Sequence, residues 1–165
     1  MASKWYFSDT CFAESTANWL PSQLNRLGLA DILEKGPFVD LGCGLGTVLE
    51  ELQKEYPNLP MIGVDCDAVC LEKAKSRVSE NTVLIKAFLQ YLPFDNDSIP
   101  IMFSHKIYQL CNEKTYPEIA CEIHRTLQPG GIYIASEDMR NYKDAFLNLG
   151  LVLIDEDNNI FRKPN

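Results

Sequence analysis

At 165 residues the chain is long enough for one ordinary domain and too short for two of typical size. Its 46% apolar and 23% charged residues exclude a disordered chain, and no apolar run approaches the ~20 residues needed to span a bilayer. The formal charge of −8 argues against duplex nucleic acid or an anionic membrane as partner, because both are gripped through basic clusters.

The opening Met1–Asp9 carries one basic residue and no long apolar core, so no secretory signal is expected there. Cysteines at 11, 43, 66, 70, 111 and 121 form no Cys-x-x-Cys pair and have no His at metal-ligand spacing. The reading is a cytoplasmic protein with reduced, mostly buried cysteines.

In chain order, residues 1–35 stand apart as an N-terminal extension or partial lid. They hold a predicted helix over about Ala13–Leu27 and the aromatic cluster Trp5-Tyr6-Phe7. A strand over Pro37–Leu41 follows, then a glycine turn and a helix over Thr47–Tyr56 that Pro57 stops. The next strand is Met61–Asp65, after which Asp67 caps a helix running to about Ser79. Strands are predicted at Thr82–Ala87 and Ile99–Ser104, joined by a loop containing Leu92–Ser98. Thr115-x-x-Glu118 has the form of a capping box, and Ile119, Ile123 and Leu127 mark one buried helical face. Pro129-Gly130-Gly131 ends that helix before a strand over Ile132–Ser136. A helix over about Tyr142–Leu149 and a hairpin of Leu151–Asp155 with Ile160–Lys163 complete the chain.

The first four strands read as continuous apolar runs, which a sheet buried on both faces requires. Alternating strands and helices then predict one α/β domain. It is a doubly wound, mostly parallel, seven-stranded sheet with a C-terminal antiparallel hairpin, its core spanning residues 36–165. Ligands bind such sheets at the carboxyl ends of the strands, where the strand order reverses.

The glycine turn carries the chemistry. Val39-Asp40-Leu41-Gly42-Cys43-Gly44-Leu45-Gly46-Thr47 ends an apolar run in an acid and sets three glycines at alternate positions. Glycines there let a ligand approach main chain, and the start of the following helix offers unpaired N–H groups. The spacing is G-x-G-x-G, one residue shorter than the dinucleotide fingerprint G-x-G-x-x-G, which sets a nicotinamide-dependent oxidoreductase third among the readings. Asp65 follows the last glycine by 19 residues (65 minus 46) and ends a strand. With Asp67 fitting the cap, Asp65 is left to accept hydrogen bonds from both hydroxyls of a ribose. A metal held by Asp65 and Asp67 is not expected, since both have simpler duties. The turn Asp155-Glu-Asp157-Asn-Asn159 lacks the Gly and final Glu of a calcium loop.

This loop resembles motif I of the class I S-adenosylmethionine (SAM) dependent methyltransferases. Leu92-Pro-Phe94-Asp-Asn-Asp-Ser98 is similar to that family's "LPF-DNS" loop, and Arg125-Thr-Leu127-Gln-Pro129-Gly130-Gly131 to its "R-x-L-x-P-G-G" turn. The nearest group by these motifs is the small-molecule type, similar to the methyltransferases of quinone biosynthesis. The resemblance implies SAM as cofactor, with its carboxylate at the loop and helix start and its ammonium at Asp40. It implies a SAM-binding set of Asp40, Gly42, Cys43, Gly44, Gly46, Thr47, Asp65, Cys66, Ala87, Phe88 and Ser104. Two positions depart from the pattern. Ala87 stands where the family usually has an acid beside the adenine amino group, leaving Phe88 to line the ring and Gln90 as a substitute acceptor. Ile99-Pro100 stands where an aromatic and an Asp usually start the next strand, and Pro100 suits only a strand start or an edge.

Methyl transfer mainly needs an aligned nucleophile and exclusion of water. Where the acceptor must lose a proton, His105 is the candidate base, lying just past a strand at the ligand edge. His124 sits away from that edge. Tyr108, Ser136 and Glu137 are weaker candidates for the substrate wall, and Trp5, Tyr6 and Phe7 for a lid. With only Glu137–Asn141 between the last parallel strand and the helix after it, the substrate side is either open, completed by residues 1–35, or covered by another subunit, as in a homo-oligomer. Two readings stay open: a methyltransferase acting on a small molecule, and a non-catalytic SAM-binding or partner subunit that keeps the fold.

Overall fold

The computed structural model describes residues 19–107, 115–137, 139 and 142–165. A helix over residues 19–26 (α1) and a 3-10 turn, Ala30–Glu34, lead into β1, Phe38–Leu41. Then come α2, Thr47–Glu55; β2, Met61–Asp65; α3, Ala68–Ala74; and β3, Thr82–Lys86. The second half holds β4, Ile99–Ser104; α4, Thr115–Thr126; β5, Leu127–Ala135; α5, Lys143–Asn148; β6, Val152–Asp155; and β7, Ile160–Arg162. Of the predicted N-terminal helix, residues 19–26 are helical; its earlier part, the Trp5-Tyr6-Phe7 cluster and Tyr108 lie outside the described residues.

The seven strands stand in the order β3-β2-β1-β4-β5-β7-β6. The first five pair in parallel, and β7 joins β5 and β6 antiparallel. The predicted doubly wound sheet with its closing hairpin is therefore the fold. Successive side chains of a strand point to opposite faces, and the core divides accordingly. Phe38, Ile101, Phe103, Ile132 and Ile134 pack with Leu20, Leu24, Leu49, Leu52 and Leu71 from α1, α2 and α3. Val39, Leu41, Met102, Tyr133 and Ala135 pack on the other face with Ile119, Ile123 and Phe146 from α4 and α5. Because β1 has β2 on one side and β4 on the other, the chain winds outward in both directions from it. The loop after β1 sits at that reversal.

Four expectations are sharpened or changed. First, α3 is regular only to Ala74, short of Ser79. The Gln53 amide accepts from Ser79 N–H at 2.6 Å and donates to the Arg77 carbonyl at 3.0 Å, so backbone groups that would extend the helix bond a side chain of α2 instead. Second, of the start or edge expected for Pro100 it takes the start, as the buried second residue of a central strand. The β4–β5 register shifts between Ile99 and Ile101, and β1 pairs β4 only from Ile101 onward. Pro100 thus stands opposite the irregular start of β5 and ahead of the pairing with β1, where its missing N–H removes no strand pair.

Third, β5 begins at Leu127, so Pro129-Gly130-Gly131 lies within the strand's irregular start. Gly130, at φ +74°, donates to the Lys163 carbonyl, and a Cβ on Gly131 would stand 2.8 Å from the Gln128 carbonyl oxygen. Fourth, β3 is not buried on both faces. It is an edge strand, and no helix among the described residues covers it on the α4 side, because residues 87–98 cross from β3 to β4 as an irregular loop. Arg125 pins that loop. Its guanidinium donates to both carboxylate oxygens of Glu122, to the carbonyls of Leu92 and Phe94, and to the Asn96 side chain, all within 3.1 Å.

Candidate cofactor and active site

The turn between β1 and α2 is tied down from beneath. Gly42 and Cys43 both donate to the Val64 carbonyl, at 2.8 and 3.0 Å, and Gly46 donates to the Cys43 carbonyl at 2.9 Å. Gly42, Gly44 and Gly46 all have positive φ, between 52° and 74°, which side chains adopt only at a cost. Close approach adds a second demand. A Cβ on Gly42 would stand 2.5 Å from Ile107 Cγ2, and one on Gly46 would stand 3.1 Å from the Ala74 Cβ. Gly46 is the N-cap of α2 and supplies no side-chain cap, so the first-turn N–H groups at Thr47 and beyond face outward as donors.

Asp40 lies under this turn and is 3% exposed. Among the described residues its carboxyl has no hydrogen-bond or ion-pair partner. Burial first, and the nearby Asp65 second, push its pKa up to about 8. A carboxyl in such a place either keeps its proton or is paired with a cation.

Asp65 is also buried but is not left free as the sequence implied. One oxygen accepts from Gly44 N–H at 2.9 Å and the other from Asp67 N–H at 2.8 Å. Asp67 is the N-cap of α3, accepting from Val69 and Cys70 N–H. Both carboxylates thus accept from backbone N–H groups. Each Asp65 oxygen keeps a further lone pair, enough for a ribose hydroxyl.

The remaining predicted positions separate into those that line the edge and those that do not. Ala87, just past β3, donates its N–H to the Asp65 carbonyl, and Phe88 beside it is 62% exposed. Cys66 is exposed next to Asp65, and burial with that carboxylate raises its thiol pKa. Cys43 turns its thiol into the core, where a Cβ on Gly63 would sit 2.8 Å from its sulfur. Burial holds that thiol in its neutral form, so only the main chain of residue 43 borders the site. Ser104 is fully buried. Its hydroxyl bonds the Tyr133 hydroxyl at 2.7 Å and its carbonyl accepts from Ser136 N–H at 2.9 Å, so it joins β4 to β5 rather than lining the edge.

His105 follows at the carboxyl end of β4. Its Nδ1 donates to the Ser136 carbonyl at 2.7 Å, which fixes the tautomer and leaves the basic lone pair on Nε2. Glu137 accepts from Ile107 N–H at 3.2 Å, bracing the chain just beyond. His124 lies on α4 away from the glycine turn; burial and the nearby Lys163 lower its pKa. Sequence reasoning did not anticipate Ile107 as the residue against the glycine turn. The signal available was Gly42 itself, whose missing side chain makes the room.

A family profile described as "Methyltransferase domain" matches residues 38–131. Demethylmenaquinone methyltransferase of Lactococcus lactis is 31% identical over 137 residues, covering 78% of this chain and 52% of that protein. Human U6 snRNA (guanine-N(2))-methyltransferase is 33% identical over 150 residues, covering 84% of this chain but only 28% of that protein. The chain therefore spans about half, or less, of the length of these curated relatives. Among solved structures, a Rickettsia typhi protein, PKMT2, in complex with AdoHcy superposes with a TM-score of 0.62 at 23% identity, over 75% of this chain and 25% of that one. A methyltransferase-domain match over more than half the chain, on this sheet order and glycine turn, places it among the class I SAM-dependent methyltransferases.

Proposed function

We propose that this chain transfers a methyl group from SAM to a small-molecule acceptor in a reducing, cytoplasmic setting. The observation that carries the reading is Asp40, a buried carboxyl beneath the glycine turn without a partner among the described residues. The ammonium of SAM satisfies it, while the N–H groups at the start of α2 take the carboxylate and Asp65 the ribose hydroxyls. Cys66, Ala87 and Phe88 border the adenine, with the exposed Phe88 ring as its apolar wall. SAM would supply a methyl carbon on a positively charged sulfur; an electron pair of the acceptor, a lone pair of a heteroatom or a π pair of a ring carbon that then loses its proton, would form the new bond, and the C–S pair would stay on sulfur.

The protein's task is then alignment and exclusion of water. His105, held by the Ser136 carbonyl, receives at Nε2 the proton of an acceptor that must lose one. The charge of −8 supports a small acceptor over RNA, the substrate in the human relative's name. The name of the Lactococcus relative makes demethylmenaquinone-like ring carbons the first acceptors to try. Free thiols at Cys43, Cys66, Cys70 and Cys121 support the reducing compartment.

Calorimetry with SAM and with its demethylated product tests the cofactor assignment. Micromolar binding that Asp40→Asn weakens tenfold or more is expected, and wild-type binding by that variant would sink it. A second reading, a SAM-binding subunit without catalysis, is favoured by Ser104 and His105 both being engaged in the seam between β4 and β5. Methyl transfer by the purified chain to any acceptor in a panel of quinols, small acids and RNA removes that reading.

A further inference from the structure

A cleft of about 680 Å³ opens at the amino ends of β1 and β2, the end of the sheet opposite the glycine turn. Its walls are α1, the 3-10 turn, the carboxyl end of α2 and the loop 57–60 that leads into β2. The nine residues of α2, at ~1.5 Å each, set it roughly 13 Å from the glycine turn. The floor is apolar. Leu24 is buried, and Leu33, Tyr56 and Leu59 pack half-buried against the same core cluster. The loop wall is fixed, since the Pro60 carbonyl accepts from Phe38 N–H at 2.9 Å and the Tyr56 carbonyl from Leu59 N–H at 3.1 Å. A fixed apolar hollow of this volume has the dimensions of a small-molecule site.

The charge around it is one-sided. Glu34 and Glu55 line the cleft, and no Lys, Arg or His does. Each acid closes a helical segment, Ala30–Glu34 and Thr47–Glu55, where the last carbonyls already carry partial negative charge and a cation is favoured. Neither acid has an ion-pair partner among the described residues. Lys54, next to Glu55, bonds Glu51 at 2.6 Å, and Lys35, next to Glu34, is not part of the lining. The Glu55 carboxylate also bears on the Tyr56 phenol, whose pKa is raised by burial first and by that charge second. Two side chains and two helix ends thus direct negative charge at an apolar floor that includes an aromatic ring.

We propose that this cleft binds a small organic cation, an ammonium group carried on an apolar or aromatic body. The body rests on Leu24, Leu33 and Leu59, and the ammonium lies between the carboxylates of Glu34 and Glu55 with the Tyr56 ring beside it. The complement is an organic cation rather than a metal ion, because the apolar floor needs an apolar body. No group of three His, Cys, Asp or Glu among the described residues could hold a metal. The site is separate from the one assigned to SAM, and it stands or falls on its own.

Calorimetry on the full chain with tryptamine, its neutral counterpart tryptophol and the anion indolepropionate tests this. Tryptamine should bind at roughly submillimolar concentration, and the other two about fivefold more weakly or less. Exchanging both acids, Glu34→Gln with Glu55→Gln, should lower tryptamine affinity roughly tenfold and leave tryptophol unchanged. Ala30→Trp, which puts an indole into the cleft from an exposed position, should abolish binding of both. Circular dichroism confirms that each variant is folded. Asp40 also attracts cations, so the titration is repeated on Asp40→Asn, where tryptamine should bind as it does to the wild type. Loss of binding there would put the amine at the glycine turn and overturn the proposal. Equal binding of amine and alcohol, or a preference for the amine that survives the loss of both acids, overturns it too.

Discussion

A carboxyl with an ordinary pKa of 3.8 that titrates near 8 ties Asp40 to both stability and binding. Between those values the unliganded fold holds a proton that the unfolded chain has released. Stability of the unliganded protein should therefore fall as pH rises from about 4 to about 8, because the folded state binds more protons there. Asp40→Asn should flatten that fall and raise the midpoint at pH 7.5 by a few degrees, measured by thermal unfolding without ligand. Binding has the opposite sign. A cationic ligand needs Asp40 ionised, so wild-type affinity for SAM should climb between pH 5.5 and 7.5 while Asp40→Asn stays weak and nearly level. Parallel slopes for the two proteins in calorimetry would refute the pairing. The position of Asp40, two residues before the first glycine, was legible in the sequence. Its isolation was not, because that depends on which neighbours the sheet brings close. The same holds for Cys43 and Ser104, which the glycine-turn and strand-end positions nominated as ligand contacts. The packing of Gly63 against the Cys43 sulfur, and Tyr133 against the Ser104 hydroxyl, turns both inward.

Two tertiary contacts dominate at the level of elements. The first is between the glycine turn and the segment after β4. Gly42→Ala adds a methyl 2.5 Å from Ile107 Cγ2 and forces positive φ on an alanine, so it should cost about 1–3 kcal/mol and shift the turn. Combining it with Ile107→Ala should recover SAM binding more than stability, since the strain at φ remains. Denaturant unfolding and calorimetry on the single and double variants separate the two effects. The second contact is the Arg125 clamp, which joins two motifs recognised separately in the sequence. Leu92–Ser98 and Arg125–Gly131 lie far apart in the chain, yet one guanidinium binds the first to α4. Arg125→Lys keeps the charge but not the fork, and should destabilise by about 1–3 kcal/mol in urea unfolding. Pro100 shows what element-level reading leaves out. The rule against proline in a central strand is sound, but whether a strand pair is lost there depends on the register with β1 and β5, which no local pattern encodes.

Across the whole molecule, the β5–β7–α5 junction fastens the antiparallel hairpin to the parallel sheet. Phe146 of α5 lies fully buried, with ring centroids 5.1 Å from Tyr133 on β5 and 5.2 Å from Phe161 on β7. Phe146→Ala should cost about 3–5 kcal/mol and lower the thermal midpoint by roughly ten degrees, with SAM binding near wild type at temperatures where the variant is folded. Equal loss of binding and stability would show that the junction shapes the ligand edge as well. The order of strands and helices, the strand–glycine–helix turn and the family were all determined by the sequence itself. The physical reason is that periodicity, capping and glycine placement act over a few residues. Bounds at Met61–Asp65 and Ile99–Ser104 agree to the residue because charged or turn-forming neighbours end the apolar runs sharply. The tertiary structure alone decided that Asp40 has no partner among the described residues, that Asp65, expected to be left to a ribose, also braces the glycine turn, and that the Ser104 hydroxyl turns to Tyr133. It also decided that β3 stands at the edge of the strand order. These depend on what packs against each side chain from elsewhere in the chain, and burial and long-range partnership are not carried by local pattern.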